Sequence, residues 1–266
     1  MVDFECKSSY DLDDFRKVIA ILRSPGGCPW DIEQTHESIR RNLLEEAYEV
    51  CEAIDERDPD HLKEELGDLL MQVIFHSRIE EEKGVFNLDD VADAAVKKLI
   101  FRHPHVFGDV SVSDSGEVLK NWDELKRREK AQTTVTKTMT DVAESLPSLW
   151  RAEKVQKKAC KVGFDWEDCS GAQTKLTEEL NELNEAIAGG DKSAVEEELG
   201  DLLLTVTSLA RKLGVDSERA LSRATDKFID RFERVEQEAE AMGKHPSELS
   251  MTELDAIWDR IKHEKM

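Results

Sequence analysis

The sequence is poor in aromatic residues and in closely spaced cysteines. Aromatic side chains make up 6% of its 266 residues, with nine Phe and two Tyr, a composition that favours helices over a β-sandwich. The five cysteines are an odd number, and none of them form a pair with a short spacing. This cysteine pattern argues against both a disulfide framework and a zinc knuckle.

Long apolar runs and an excess of positive charge are also missing. No run approaches the length of a membrane-spanning helix, and the amino terminus lacks the pattern of a signal peptide. We therefore expect a cytoplasmic protein with no membrane partner. The formal net charge of −22 repels nucleic acid, so we expect no nucleic-acid partner. A small polyanionic substrate needs locally gathered cations, which a divalent metal supplies naturally.

The chain contains two copies of one unit. Residues 43–70 read LLEEAYEVCEAIDERDPDHLKEELGDLL, and residues 176–203 read LTEELNELNEAIAGGDKSAVEEELGDLL. The two segments align without a gap at an offset of 133 and share EExxE, AI and EELGDLL. A gapless match of 28 residues makes a chance likeness of two charged helices improbable, so the sequence predicts a tandem repeat.

The match resumes further along each copy with different offsets, and a Thr-rich stretch separates the copies. The resumed match pairs Lys98/Arg102 with Lys227/Arg231, and Trp122/Lys126 with Trp258/Lys262. We expect three segments, namely an N-terminal domain over 1–130, a linker over 131–145 and a C-terminal domain over 146–266.

Apolar residues recur at helical spacing in each copy, and nothing in the chain has a clear strand pattern. In the second copy they lie at i, i+4, i+7 and i+11, at Leu176, Leu180, Leu183 and Ile187. The segment Gly189-Gly190-Asp191 ends one helix and starts the next, as Asp58-Pro59-Asp60 does in the first copy. The sequence therefore predicts an all-α protein in which each copy is an antiparallel helical hairpin.

Four carboxylates become level with one another when the second hairpin folds about residue 190. Glu179 and Asp201 lie equally far from that turn, and so do Glu182 and Glu198. Acids three residues apart are separated by about 4.5 Å along a helix axis, so all four can converge on one flank. The first copy repeats the arrangement about residue 57, with Glu46, Glu49, Glu65 and Asp68.

Clustered carboxylates repel one another unless a cation lies among them. Hard oxygen ligands suit Mg²⁺, with Mn²⁺ as a substitute, better than Zn²⁺. A single Glu pair is more often a solvated acidic face, but a level set that occurs twice favours a metal site. A di-iron bundle needs Glu-x-x-His pairs, whereas Glu52 and Glu185 follow Glu49 and Glu182 at that spacing.

Two further pairs of residues, each four apart, suit a phosphate and a base. Lys227 and Arg231 lie on a helical run over 224–235 and project on one face, although such a pair is also common on plain surfaces. Trp258 and Lys262 could stack a base and hold its polar edge, although a Trp at helical spacing is more often part of the core.

The EExxE motif, followed after sixteen residues by ExxD, resembles that of the MazG family of nucleoside triphosphate pyrophosphohydrolases. The likeness covers nearly the whole chain, and it includes the lead-in segments GGCPWD at 26–31 and KVGFDW at 161–166. The resemblance implies an all-α fold whose subunits pair, usually as a homodimer, to complete a four-helix bundle around each site. It also implies cleavage between the α and β phosphates of varied ribo- and deoxyribonucleotides.

The resemblance also implies roles for individual residues. The metal ligands would be Glu179, Glu182, Glu198 and Asp201, with a second set at Glu46, Glu49, Glu65 and Asp68. Substrate contacts would come from Lys175, Glu178, Lys227, Arg231, Trp258 and Lys262.

No nucleophile elbow, P-loop or Cys/His pair is apparent, so covalent catalysis has no candidate residue. Mg²⁺-activated water is the remaining route to hydrolysis. A carboxylate at the edge of the site, Glu178 or Glu182, is the candidate acceptor of the proton from that water.

The two copies are not expected to be equivalent. Pro104 should end or bend the helix that carries Arg102, whereas Lys227 and Arg231 lie inside a continuous helix. We therefore expect the second copy to carry most of the turnover and the first to support assembly, regulation or weak activity. His103 and His105, which flank Pro104, are more typical of a structural loop than of a metal site.

Two other functions fit the same residues. One is a narrower enzyme that prefers a single deoxynucleotide such as dUTP or dCTP, since related all-α enzymes share such acid motifs. The other is a dimeric scaffold that senses nucleotides through its acidic sites without hydrolysing them. Turnover across a panel of nucleotides, with identification of the product, separates these possibilities.

Overall fold

The computed structural model describes residues 4–129 and 132–263. Over these ranges the chain is helical and contains no strand, which confirms the all-α prediction. The chain divides into two compact units, 1–126 and 127–266, and each unit holds one copy of the repeat. No helix in the described part of the chain is long and apolar enough to cross a membrane.

The first unit is built on the hairpin of α3 and α4, against which α1 packs. Its core joins Ile19 of α1 to Ile74, Phe75 and Ile79 of α4. The helices of this part of the chain are α1 (Leu12–Leu22), α2 (Pro29–Glu33), α3 (Arg40–Glu56), α4 (Pro59–Glu82), α5 (Leu88–Arg102), α6 (Pro104–Phe107) and α7 (Ser115–Glu129).

The second unit repeats this plan with the hairpin of α10 and α11, against which α9 packs, while α12 packs with α13. Val235 and Ala239 of α12 meet Ile257 and Ile261 of α13 in a core of their own. The helices are α8 (Val135–Thr140), α9 (Ser148–Cys160), α10 (Cys169–Gly189), α11 (Lys192–Lys212), α12 (Ser217–Ala241) and α13 (Met251–His263), with a 3-10 turn at Pro246–Glu248.

The segment expected to be a linker contains helix α8. Thr134 caps this helix by accepting a hydrogen bond from the backbone N–H of Lys137, which is the usual role of Thr before a first helical turn. Helix α8 packs on α9, so this part of 131–145 belongs to the second unit. The domain boundaries at 130 and 146 stay a prediction.

Both hairpins turn through a residue in the left-handed conformation. Gly190 has φ +72° after α10, and Arg57, at the equivalent position after α3, has φ +59°. Asp191 and Asp58 then cap the second helix of each hairpin through their side chains. The turns therefore fold as predicted, but the first copy places a side chain where glycine is favoured.

The apolar stripes predicted on the hairpins are only partly covered within each unit. On α10 and α11 the side chains of Leu180, Ile187, Leu199 and Leu203 are about half exposed, and on α3 and α4 so are Leu44, Tyr48, Ile54 and Leu66. Leu180 and Ile187 belong to the stripe that the helical periodicity of the second copy predicts.

Candidate active site

Three carboxylates of the second hairpin meet at one level. A carboxylate oxygen from each of Glu179, Glu182 and Glu198 lies within 4.8 Å of the others. The antiparallel pairing of α10 and α11 produces this meeting, as the distances from the turn predict. Asp201 is not part of the closest group, but it lies one turn further along α11 and lines the same cavity as Glu179.

Glu179 is buried, and a lysine neutralises it. Nζ of Lys175 lies 2.7 Å from Oε1 of Glu179 and 2.7 Å from Oε1 of Glu178. Hydrogen bonds to these two carboxylates raise the pKa of Lys175. For Glu182, loss of hydration raises the pKa, Lys175 opposes that shift, and the neighbouring acids, Glu179 first, add to it. Glu178 therefore shares a lysine with Glu179, one of the three carboxylates that form the second acid group.

The first hairpin brings together Glu46, Glu49 and Glu65, with oxygens within 4.8 Å of one another. These three residues form the first acid group. Burial raises the pKa of Glu46, and the nearby charges of Asp68 and Glu49 raise it further. The position equivalent to Lys175 is Asn42, which carries no charge. The same acids thus recur without the same cation.

A histidine distinguishes the first acid group from the second. Nε2 of His61 lies 3.3 Å from Oε1 of Glu65, and its Nδ1 lies 2.8 Å from Glu56. These carboxylates, the hydrogen-bonded Glu56 first, raise the pKa of His61. The second copy has Ala194 at the equivalent position, so Glu198 has no histidine neighbour there.

The predicted phosphate and base residues occupy α12 and α13. The guanidinium carbon of Arg231 lies 5.9 Å from the ring centroid of Trp258, within the range of a cation–π contact. Trp258 also packs on the core around Val235 and against Phe228. The indole therefore makes core contacts, as a Trp at helical spacing more often does. It also contacts Arg231, one of the two predicted phosphate-binding residues. Lys227 and Lys262 are exposed.

The first copy repeats the Arg–Trp contact, with Arg102 lying 5.6 Å from the ring centroid of Trp122. Helix α5 ends at Arg102 and α6 starts at Pro104, so the predicted break at the proline is confirmed. The break does not separate Arg102 from its tryptophan. His103 packs edge-on against Trp122, and its Nδ1 lies 2.6 Å from the carbonyl oxygen of Leu99, contacts that agree with a structural role.

A cavity of about 600 Å³ opens beside the second acid group, between α9, α10 and α11. Lys175, Glu179 and Asp201 form part of its wall, and Phe164 and Trp166 of the lead-in segment form another part. The composition of this cavity was not predicted from the sequence. Its residues lie on three helices and on the lead-in segment, and no periodic pattern links them.

An ion-pair network fixes the lead-in segment beside this cavity. Asp165 accepts two hydrogen bonds from Arg211, at 3.0 and 2.6 Å, and Nζ of Lys212 lies 2.9 Å from its carboxylate. These partners, Arg211 first, hold the pKa of Asp165 well below its usual range. Lys212 also donates to the backbone carbonyl of Trp166. The motif KVGFDW marked this segment as part of the family resemblance, but it did not predict that the aspartate pairs with residues of α11.

The acid groups suit a hard divalent cation. Every donor in them is a carboxylate oxygen, and each group includes a partly or fully buried member, whose negative charge is costly unless it is neutralised. Oxygen-only donors at this spacing match the preferences of Mg²⁺ and Mn²⁺.

Comparison with known proteins gives one consistent family. The model of the MazG nucleotide pyrophosphohydrolase domain matches residues 34–107 and 171–236, one segment in each unit. The chain is 44% identical over 251 residues to the nucleoside triphosphate pyrophosphohydrolase/pyrophosphatase MazG of Thermotoga maritima. That alignment covers 93% of this chain and 95% of the relative.

Two other relatives extend the likeness. The nucleoside triphosphate pyrophosphohydrolase of Escherichia coli K12 is 40% identical over 260 residues, covering 96% of this chain and 98% of that protein. The uncharacterized protein YabN of Bacillus subtilis is 42% identical over 254 residues, which cover 95% of this chain and 52% of that protein. The chain therefore belongs to the MazG nucleotide pyrophosphohydrolase family and carries one copy of its domain in each compact unit.

Proposed function

We propose that this protein hydrolyses nucleoside triphosphates, both ribo- and deoxyribonucleotides, to the nucleoside monophosphate and pyrophosphate. The observation that carries the proposal is the group of Glu179, Glu182 and Glu198, whose oxygens lie within 4.8 Å of one another beside a cavity of ligand size. The names of the relatives from Thermotoga maritima and Escherichia coli K12, both nucleoside triphosphate pyrophosphohydrolases, support it. The net charge of −22 disfavours long polyanions but is compatible with a small one held through cations.

In this proposal Glu179, Glu182, Glu198 and Asp201 hold Mg²⁺, with Mn²⁺ as a substitute. When bound, the metal supplies Lewis-acid activation of water and neutralises charge on the phosphates. The set Glu46, Glu49, Glu65 and Asp68 forms a second and weaker site, since His61 already contacts Glu65 and competes with a cation there.

The remaining polar residues bind and orient the triphosphate. Arg231 offers two parallel N–H donors to phosphate oxygens. The ring of Trp258, over which the Arg231 guanidinium lies, holds these donors in position. Lys227 and Lys262 add positive charge on the same two helices. Lys175 exchanges its contact with Glu178 for a phosphate oxygen, which leaves a carboxylate of Glu178 or Glu182 able to accept a proton from water.

The second unit is proposed as the main site of turnover. Among the residues that the structure describes, the second unit has a lysine, Lys175, in contact with the buried Glu179 of its acid group, whereas the first unit has Asn42 at the equivalent position. The first acid group supports assembly, regulation or weak activity.

The protein is proposed to act as a homodimer whose hairpins pair into four-helix bundles. The half-exposed leucines and isoleucines on the two hairpins support this proposal, because an uncovered apolar stripe on a helix is stabilised by a second helical surface. Pairing would bury this stripe and place a second pair of helices beside each acid group.

The test is hydrolysis of the eight common ribo- and deoxyribonucleoside triphosphates with Mg²⁺, followed by separation of the products. We expect monophosphate and pyrophosphate from most of them, and no product in excess EDTA. A double variant, Glu179→Gln with Glu182→Gln, is the inactive control. Release of orthophosphate would contradict cleavage between the α and β phosphates. Turnover of a single deoxynucleotide would indicate the narrower enzyme, and binding without turnover would indicate the sensor.

A further inference from the structure

Two histidines of the first unit, 40 positions apart, contact each other. Nδ1 of His36, on the segment 34–39 between α2 and α3, lies 2.7 Å from Nδ1 of His76 on α4. The rings are stacked, with centroids 5.0 Å apart and an angle of 12° between their planes. The other ring nitrogen of His36, Nε2, lies 2.6 Å from Oε1 of Glu80, one turn further along α4. Glu80, His36 and His76 therefore form a chain of polar contacts that joins the segment to the helix.

This chain of contacts limits how many protons the two rings can carry. Two ring nitrogens at 2.7 Å share one hydrogen atom, so one Nδ1 donates and the other must be unprotonated. Because a charged imidazole carries a hydrogen on both nitrogens, His36 and His76 cannot both be charged while the contact exists. The hydrogen bond from Lys83 lowers the pKa of Glu80, and the one from His36 lowers it further, so Glu80 stays an acceptor for Nε2–H of His36.

The surroundings of His76 favour its neutral form. Its Nε2 is buried and has no hydrogen-bond partner among the described residues, so a proton bound there has no acceptor. Burial lowers the pKa of His76, and the charge of His36 lowers it further. The other charged groups around the pair are Glu80 and Lys83 of α4, which pair with each other, and Glu37, which feels the charges of His36 and Lys83.

Segment 34–39 leads directly into α3. Ile39, the N-cap residue of that helix, makes no side-chain cap hydrogen bond, and it packs in the core with Ile74 at 4% exposure. Arg23 of α1 donates to the backbone carbonyl of Gln34 at 3.1 Å, and a guanidinium keeps its charge over the whole physiological pH range. The histidine contact is therefore the pH-sensitive one of these ties, and its loss would loosen the first turn of α3.

The second unit lacks the residues that make this contact on α4. With the offset of 133, His76 corresponds to Leu209 and Glu80 to Leu213. Neither leucine can gain or lose a proton, so a pH response of this kind is confined to the first unit. The two units thus provide a comparison within one chain.

We propose that the contact between His36 and His76 is a pH-sensitive latch. It holds segment 34–39 on α4 while at most one ring is charged, and it releases the segment when a proton from the solvent charges the second ring. The stabilisation is complete above the ordinary histidine pKa of about 6.5, and it is lost as the pH falls from there through the lowered pKa of His76. Acidification therefore loosens the entry to α3, the helix that carries Glu46 and Glu49.

Hydrogen exchange of backbone amides, measured by mass spectrometry from about pH 8 to about pH 5.5, tests the latch in the full-length protein. The reporters are the amides of Ile39 and Leu43, which donate to the carbonyls of Thr35 and Ile39. After correction for the intrinsic exchange rate at each pH, we expect opening at these amides to increase about five- to tenfold. One proton changes an opening equilibrium by at most about tenfold per pH unit. Peptides of α10 and α11 are the internal reference and should show no such increase.

Two variants identify the titrating groups. His76→Asn puts an amide near the place of Nδ1, where it can still bond His36, so the segment should stay closed and exchange at Ile39 should no longer depend on pH. His36→Asn removes the contact with Glu80 as well and should leave the segment open at every pH. This second variant decides the question if His76→Asn does not fold, since the side chain of His36 is 33% exposed. His245→Asn, which replaces an exposed histidine of the second unit, is the matched control and should behave as the wild type.

Three results would overturn the latch. The first is wild-type exchange at Ile39 and Leu43 that stays constant over the pH range. The second is the same pH dependence in the wild type and in His36→Asn, because another group would then be titrating. The third is an increase that spreads equally to α10 and α11, which would show general acid unfolding. The proposed hydrolysis is measured separately and does not depend on these results.

Discussion

The ammonium nitrogen of Lys175 lies 2.7 Å from Oε1 of Glu179, whose side chain is only 4% exposed. The two residues are four apart on α10, so the helix itself sets the pairing. In the first copy Glu46 has the same place, but Asn42 replaces the lysine. The second acid group therefore has a lysine ammonium within contact distance that the first lacks at the equivalent position.

Lys175→Gln is expected to lower the unfolding temperature of the metal-free protein by roughly 2–4 °C for a chain of this size, because Glu179 stays buried without its partner. Added Mg²⁺ should reduce the difference in unfolding temperature between the variant and the wild type, since the ion neutralises the same carboxylate. Thermal unfolding in EDTA and in Mg²⁺ measures both effects. The reciprocal change, Asn42→Lys, should raise the unfolding temperature in EDTA. An unchanged temperature for Lys175→Gln would show that this lysine does not neutralise Glu179.

Glu182→Ala is expected to reduce kcat for triphosphate hydrolysis on the order of 100-fold, because it removes one proposed ligand of the catalytic metal. Glu49→Ala, the equivalent change in the first copy, should leave most of the activity. Steady-state assays with saturating Mg²⁺ compare the two proteins directly. Equal losses from both changes would refute the asymmetry between the copies.

The repeat and its hairpins could be predicted from the sequence because they depend on local signals. Helical periodicity, the Gly190 turn and the equal distances from that turn are enough to bring Glu179, Glu182 and Glu198 together. The same arithmetic predicts Asp201 with them; it lines the same cavity as Glu179, and its role as a metal ligand stays a prediction, because levels along a hairpin do not fix side-chain directions.

The cavity could not be predicted from the same signals. Its walls depend on how α9 packs across α11 and on the pairing of Asp165 with Arg211, residues that are 46 positions apart. Ser208 lines the cavity at the position where the first copy has the buried Phe75. Both residues lie beyond the end of the gapless match, so the sequence repeat did not single them out. For Trp258 the sequence left two roles open, a core residue or a part of the nucleotide site. In the structure its ring packs on the core and also contacts Arg231.

The hairpin turns offer a paired test of backbone strain. Arg57→Gly is expected to stabilise the protein by about 0.5–1 kcal/mol, because glycine adopts a positive φ without the Cβ clash that Arg57 carries at +59°. Gly190→Ala, at the matching position, should destabilise it by about 1 kcal/mol for the same reason. Urea unfolding followed by circular dichroism measures both. Shifts of the same sign would show that the turns are not equivalent.

Asp165→Asn is expected to destabilise the protein by about 2 kcal/mol at pH 7, since it weakens charge-assisted hydrogen bonds from Arg211. The pKa of Asp165 is lowered in the folded protein. Its stabilisation is therefore complete above the ordinary aspartate pKa and is lost as the pH falls through the lowered value. The difference between variant and wild type should shrink below about pH 4. Unfolding curves at several pH values check this, and a constant difference down to pH 3 would contradict it.

Leu203→Glu is expected to convert the proposed homodimer into monomers, because it puts a charge into an apolar stripe where this leucine is 48% exposed in the single chain. Met242→Glu, at a site that is 53% exposed at the end of α12, is the matched control and should stay dimeric. Sedimentation velocity gives the mass of each species. A wild-type protein that sediments as a monomer would exclude the dimer outright.

The phenyl ring of Phe75 has one more consequence. It fills part of the core of the first unit, whereas the second unit has Ser208 at the equivalent position, where this small side chain lines the cavity beside the second acid group. A ligand that occupies the native form alone slows opening of that form. On the proposed function, nucleotide supply would therefore lengthen the time for which the carboxy-terminal half resists proteolysis, and it would protect the amino-terminal half less, because the proposed site there is weaker.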